Sequence, residues 1–268
     1  MTKIAATAIL DKTAQLGSDV YIGPGCVIGS GVVVGDGCLL KANVFISKGV
    51  TIGQGNQVFP NCVLGEEPQM VGKHDPETEL IIGNDNVFRE NVTISRGSPI
   101  GSGKTIIGNQ NYFMIGSHLG HDCEIEDNVV LGNYCQIGGH GKLERNVWMS
   151  AFCGTHQFVT IGRFVYAGGL SGIVSDVPPF MRMSGSYPCT VRGLNAVGLQ
   201  RAGFSTESIQ ALNEAYRCLY RHREGALTGA VEEMMSRQEL DENVKYLLEF
   251  LQRSFQHRMS RHRELFRH

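Results

Sequence analysis

The chain has no excess of either charge, no long apolar run and no apolar leader. Formal charge is −2 over 268 residues, so no global field steers it toward nucleic acid or membrane. No stretch approaches the roughly eighteen unbroken apolar residues of a membrane-crossing helix. The opening MTKIAATAILDK lacks the apolar core of a signal peptide, and a cytoplasmic location is expected. The length suffices for one large domain or two smaller ones. Glycine is the abundant residue, with 34 copies, most of them before a Glu-, Arg- and Leu-rich tail that begins near residue 180.

The glycine-rich part repeats. Stepping by six from Ile4 meets Leu10, Leu16, Ile22, Ile28 and so on to Leu64 without a failure. The step resumes at Ile82, Phe88 and Ile94, then after a phase break from Ile107 to Ile173. Helices repeat near 3.6 and ordinary strands at 2, so neither explains a period of six. One large aliphatic per hexad, followed by glycine and polar residues, is the mark of a parallel β-helix. The fifth hexad position carries small residues that fit an inward-facing corner, and six of the eight cysteines fall there: Cys26, Cys38, Cys62, Cys123, Cys135 and Cys153. They read as small buried hydrophobes rather than as disulfide or metal partners.

Three hexads per turn give a triangular coil of about eighteen residues, with neighbouring coils about 4.8 Å apart. The hexads resemble those of bacterial hexapeptide-repeat transferases, which implies left-handed coiling and trimers. The expected fold class is therefore an all-β solenoid plus α: a left-handed parallel β-helix over 1–180 and a linker with a C-terminal α-helical domain over 181–268. Segments 65–81 and 95–106 leave the register and read as outward loops, where function tends to sit. The pattern ends at DVPPF, because paired prolines stop ladder pairing. Beyond it, Ser205 caps a helix through TESIQALNEAYRCLYRHR. TGAVEEMMSRQ is a second helix, and the stretch from Asp241 to Phe266 is a third, with Val244, Leu247, Leu248 and Leu251 as its apolar stripe.

An eighteen-residue coil works as an address system. His121, Gly139 and Gln157 fall in one column, Asp122, His140 and Phe158 in the next, and Gly120, Gly138 and His156 on the other side. His118 begins the same corner. Four histidines in one patch suit proton transfer or metal ligation near neutral pH. General-base catalysis needs an imidazole oriented by a carboxylate and a donor for the developing oxyanion. His121 has Asp122 beside it and the Gly139 amide stacked over it. A zinc site would need three ligands converging on one point. The His118-x2-His121 spacing departs from the His-x4-His pair of zinc-bearing hexapeptide carbonic anhydrases, so no metal is assigned. A zinc hydratase and a non-catalytic sugar-nucleotide scaffold remain the alternatives.

The combination of HLGHDC, GGH, THQF, AGGLSGIVSDVPPF and GLQRAGFS with a helical C-terminal part resembles the bacterial UDP-N-acetylglucosamine O-acyltransferases that begin lipid A synthesis. The resemblance implies transfer of a 3-hydroxyacyl group from the phosphopantetheine thioester of acyl carrier protein to the 3-hydroxyl of UDP-N-acetylglucosamine, without a further cofactor. It implies a homotrimer with active sites between subunits. His121 would be the base, Asp122 its orienter and Gly139 the oxyanion donor. His118, His140, His156 and Gln157 would line the substrate groove, and Gly169 would set acyl-chain length. Gln69, Lys73, Asn195 and Arg201 would bind the nucleotide sugar. Met70 and Val197 stand where the family carries acidic residues, which leaves a variant UDP-sugar such as the 3-amino analogue as an alternative acceptor. Tail arginines, among them Arg217, Arg223, Arg237, Arg253, Arg258, Arg261 and Arg263, offer a basic surface for an acidic carrier.

Overall fold

A computed structural model describes residues 1–71, 77–186, 189–222 and 225–256. Short strands, most of two residues, follow one another around a three-sided prism, and each pairs in parallel with a strand one coil away. Lys3 and Ile4 pair with Tyr21 and Ile22, and Gln15 and Leu16 with Val33 and Val34. The three walls are sheets of eleven, nine and eight strands, called here the first, second and third sheets. Along the body of the prism the hexad aliphatic points inward: Ile22, Leu40, Leu64, Leu119, Leu131 and Leu143 are each fully buried, while Ile4 in the first coil is half exposed. Burying such side chains contributes about 1.5–3 kcal/mol apiece, an upper estimate against a compact unfolded chain. All six fifth-position cysteines are buried free thiols.

The corners explain the polar half of the hexad. A left-handed backbone conformation recurs every sixth residue, at Asp19, Gly25, Gly31, Gly37 and Asn43 and again at Asn128 and Asn146. Glycine, Asn and Asp tolerate that conformation best. Bulky residues occupy it in the later coils, at Tyr134, His140, Phe152, Phe158 and Phe164. Strain of about 1–3 kcal/mol per residue is expected at such positions, and sites of this kind cluster where a protein works.

Both register breaks are insertions at one edge. The first leaves the second sheet after Val63–Glu66 and re-enters the third at Glu79–Ile82. The second runs between Thr93–Ser95 and Lys104–Ile107, again from second sheet to third. The coil absorbs them intact: Val58 pairs with Phe88, and Phe88 with Phe113. The segments expected as loops are narrower than 65–81 and 95–106, because Glu66, Glu79–Ile81 and Lys104–Ile106 extend the ladder. The second is also no free excursion, since Arg96, Ser98 and Thr105 are buried.

The ladder does not stop at the prolines. Pro179 occupies a corner turn, where no ladder bond is required of it. Met181–Ser184 then pairs in parallel with Tyr166–Ala167 and carries the antiparallel strand Thr190–Leu194. Four helices follow: α1 (Ala196–Arg201), α2 (Thr206–Tyr220), α3 (Leu227–Met235) and α4 (Glu242–Phe255). Helix α1, six residues long, is too short to leave a periodic pattern in the sequence. Ser205 caps α2 and Asp241 caps α4. Phe180 and Met181 join Leu199, Leu212, Leu219, Leu247 and Leu251 in a second core. Tyr246 ties the helices to the prism by donating to Glu144 (2.8 Å).

Candidate active site

The edge between the second and third sheets carries both insertions and, in the coils directly beyond them, the histidine-bearing corners. Asp122 and His140 both hold the left-handed corner conformation (φ 58° and 59°), as does Phe158 (φ 65°). Equal backbone geometry one coil apart projects their side chains alike. The His140 and Phe158 rings stack in parallel at 4.3 Å, and His140 meets His121 edge-on at 5.1 Å. Residue 121 thus stands against 140 rather than pointing into the prism.

His121 Nδ1 lies 2.7 Å from Asp122 Oδ2. An ionised carboxylate only accepts, so Nδ1 carries the proton, and in the neutral ring Nε2 keeps its lone pair. Nε2 sits over Gly139, where a Cβ would stand 2.9 Å from it. The glycine is required by this approach rather than by its backbone angles. Among the described residues the Gly139 amide has no acceptor. The groove in front of the ring measures about 260 Å³, and Gln69, His118, His121, Gly139, Gly154 and Gln157 are among the residues that line it.

The Asp122 side chain is fully enclosed. Burial alone would raise its carboxyl. Hydrogen bonds from His121 and from the Ser98 hydroxyl and amide, with His140 nearby, outweigh that and hold it well below the usual carboxylate range. Its Oδ2 accepts from Ser98 Oγ at 2.6 Å and Ser98 N at 3.0 Å. Its Oδ1 accepts from Ser102 Oγ at 3.0 Å and Gly103 N at 3.1 Å. Desolvation pushes His118 below the ordinary imidazole value, and its Nδ1 meets Thr93 Oγ1 at 2.8 Å. Burial drives the neighbouring Cys123 thiol up to about 12, so it is no nucleophile at neutral pH.

A family profile described as UDP N-acetylglucosamine O-acyltransferase, domain 2, matches residues 176–259. A second profile, bacterial transferase hexapeptide, matches 2–36, 13–48 and 104–139. The acyl-[acyl-carrier-protein]–UDP-N-acetylglucosamine O-acyltransferase of Syntrophobacter fumaroxidans is 40% identical over 249 residues, 93% of this chain and 96% of that protein. The chain belongs to the UDP-N-acetylglucosamine O-acyltransferase family. The Paraburkholderia phymatum enzyme of the same name is 36% identical, covering 95% of this chain and 98% of its own length. The solved UDP-N-acetylglucosamine acyltransferase of Bacteroides fragilis superposes with a TM-score of 0.90 at 34% identity, over 94% of this chain and 98% of that one. The prism is thus the left-handed parallel β-helix of that family, and the chain is an O-acyltransferase.

Placed on this family fold, the remaining expected residues separate. His156 stands near the groove with Nδ1 3.2 Å from the Gln157 carbonyl. Gly169 is exposed at the edge between the first and second sheets, away from His121. Asn195 caps α1: its Oδ1 accepts from Gly198 N at 3.2 Å and its Nδ2 donates to Phe164 O at 3.0 Å. With Arg201 at the end of α1, it lies beside the edge between third and first sheets, not at the groove of its own chain. Val197 is exposed in the same short helix. Lys73 lies outside the described residues, as do Arg223, Arg258, Arg261 and Arg263. Ser98, Ser102 and Thr105 were missed in the sequence. The available signal was the phase break, which puts residues 96–103 on the corner one coil before Asp122.

Proposed function

We propose that this chain moves a 3-hydroxyacyl group from the thioester of acyl carrier protein to the 3-hydroxyl of UDP-N-acetylglucosamine, the first step of lipid A synthesis. The carrying observation is the His121–Asp122 hydrogen bond with Gly139 under the free nitrogen. Nε2 of His121 takes the proton of the sugar hydroxyl as its oxygen bonds to the thioester carbonyl carbon. The carbonyl oxygen becomes an oxyanion that the Gly139 amide holds, while Asp122 stabilises the imidazolium. Collapse breaks the carbon–sulfur bond, and His121 returns the proton to the departing thiolate. These steps draw on no cofactor. The names of the relatives support donor and acceptor alike.

The groove reads as one wall of a site shared between subunits. Asn195, Arg201 and Gly169 sit at the other two edges and reach a neighbour's groove in a homotrimer. The edge carrying Gly169 exposes an apolar column suited to such contact: Tyr134 and Phe152 stack at 5.4 Å, with Leu170 beyond them. Gln69 and Lys73 would then hold the nucleotide sugar with His118, His140, His156 and Gln157. A cytoplasmic location is part of the proposal, and among the described residues no helix is long and apolar enough to cross a membrane.

One observation favours a metal: donor atoms of His121, Asp122 and His140 lie within 4.8 Å of one another. The donor chemistry argues against it. His121 Nδ1 and Asp122 Oδ2 are committed to each other, and the carboxylate accepts four further hydrogen bonds. The test is turnover of acyl carrier thioesters with UDP-sugars by His121→Ala, with elemental analysis of the parent protein. A loss of about 10²–10⁴-fold is expected. Near-parental turnover, or stoichiometric zinc needed for activity, would overturn the mechanism.

A further inference from the structure

The carboxylate that orients His121 is itself held by a segment that makes no contact with the groove. We infer that residues 96–103 form a clamp on Asp122, with Ser98 the positioning residue that fixes the carboxylate and, through it, the His121 ring. This rests on the pair serving as the base of the proposed transfer.

Four donors from the clamp converge on the two oxygens, and Ser98, which supplies two of them, is completely buried. Bound in this way, Oδ2 meets His121 Nδ1 at 2.7 Å, with His140 Nε2 farther off at 3.7 Å. Thr105 Oγ1 accepts from the Asp122 amide at 2.9 Å and fixes the backbone behind it. The clamp is keyed into the prism by Arg96, only 1% exposed. Its guanidinium donates to Gly65 O (2.9 Å), Thr78 Oγ1 (3.2 Å) and Glu67 Oε1 (3.4 Å). Those three residues border the first insertion, whose Gln69 lines the groove. One buried arginine therefore joins the segment that aims the base to the segment that borders the substrate. Space in the clamp is tight enough to dictate sequence: a Cβ at Gly97 would lie 2.0 Å from Lys104 N, and one at Gly101 2.5 Å from the Asp122 carboxylate.

Hydrogen bonds to a buried charge supply enough for one donor to matter about ten- to hundredfold in rate. Ser98→Ala should lower kcat by that factor and leave KM for both substrates within about twofold. Removing a donor also concentrates negative charge on the oxygen facing His121, which favours the imidazolium. The other titratable groups about the ring are His118 and His140, and Ser98→Ala leaves both in place. The acid limb of the kcat/KM profile should then move to higher pH. In an Asp122→Asn background the same change should cost about twofold or less, because its effect has no carboxylate to act through. The low-field imidazole N–H resonance of His121 in proton NMR reads the clamp without any substrate, and should shift or broaden in Ser98→Ala. If the alanine variant does not fold, Ser102→Ala, at an exposed site, must disturb the same resonance. An unchanged resonance, parental kcat, or losses that multiply in the double variant would each overturn the clamp. A parent protein inactive on every thioester with the resonance still responding would overturn the acyl-transfer reading instead.

Discussion

Adding one methyl group at Gly139 should separate catalysis from stability. An alanine Cβ there would lie 2.9 Å from His121 Nε2, 3.0 Å from Cε1 and 3.3 Å from Cδ2, all inside ordinary carbon contact near 3.5–4 Å. The ring must retreat by roughly half an ångström or more to accommodate it. Its retreat is opposed by the 2.7 Å bond to Asp122 and the His140 ring at 5.1 Å. The backbone at 139 is outside the left-handed region, so alanine itself is tolerated there. Replacing glycine gains about 0.4–1 kcal/mol through the unfolded chain, against about 1–3 kcal/mol for overpacking. The net change should stay within about 2.5 kcal/mol, or roughly 5–10 °C in Tm for a chain of this size. A misplaced base should slow turnover about a hundredfold. Initial rates with acyl carrier thioester and UDP-N-acetylglucosamine, measured beside thermal melts, read both. Turnover within about threefold of the parent would show that Nε2 does not act from this position.

The other expectations concern chain length and acid stability. Gly169→Met should shift acyl preference toward shorter chains in a competition assay, since an exposed glycine leaves room that methionine fills; unchanged preference refutes the ruler. Acidification should destabilise the fold in two stages, read by denaturant midpoints across pH. His118 is depressed in the folded state, so the unfolded chain binds the extra proton and stability falls as pH drops through about 6.5. Asp122 is also depressed, and its contribution, present above about pH 4, fades as pH falls toward its lowered value. His118→Gln should remove the first stage and spare the second.

The period of six exposed the prism, the buried cysteines and the stacking of residues 121, 139 and 157, because a solenoid turns sequence distance directly into height. His121 and Asp122 were legible as a pair because they are neighbours in the chain. Ser98 was not, since an insertion hides which corner it leaves and where its side chains return. The end of the ladder was misplaced at Pro178 and Pro179, because a proline disrupts pairing only where an N–H is needed, and a corner needs none. Asn195 shows a further limit: from sequence it is a polar residue in a motif, whereas in the fold it caps a helix too short to leave a periodic trace.

Three successive coils repeat the same amide at the edge between the second and third sheets: those of His121, Gly139 and Gln157 have no acceptor among the described residues, whereas in the coil before them the Arg96 amide donates to Glu66 O. The proposed reaction would use the storey where a glycine of the next coil faces an imidazole and the clamp of the previous one holds its carboxylate. Moving the proposed base by a whole turn would therefore mean moving both insertions with it, because Arg96 ties one to the other.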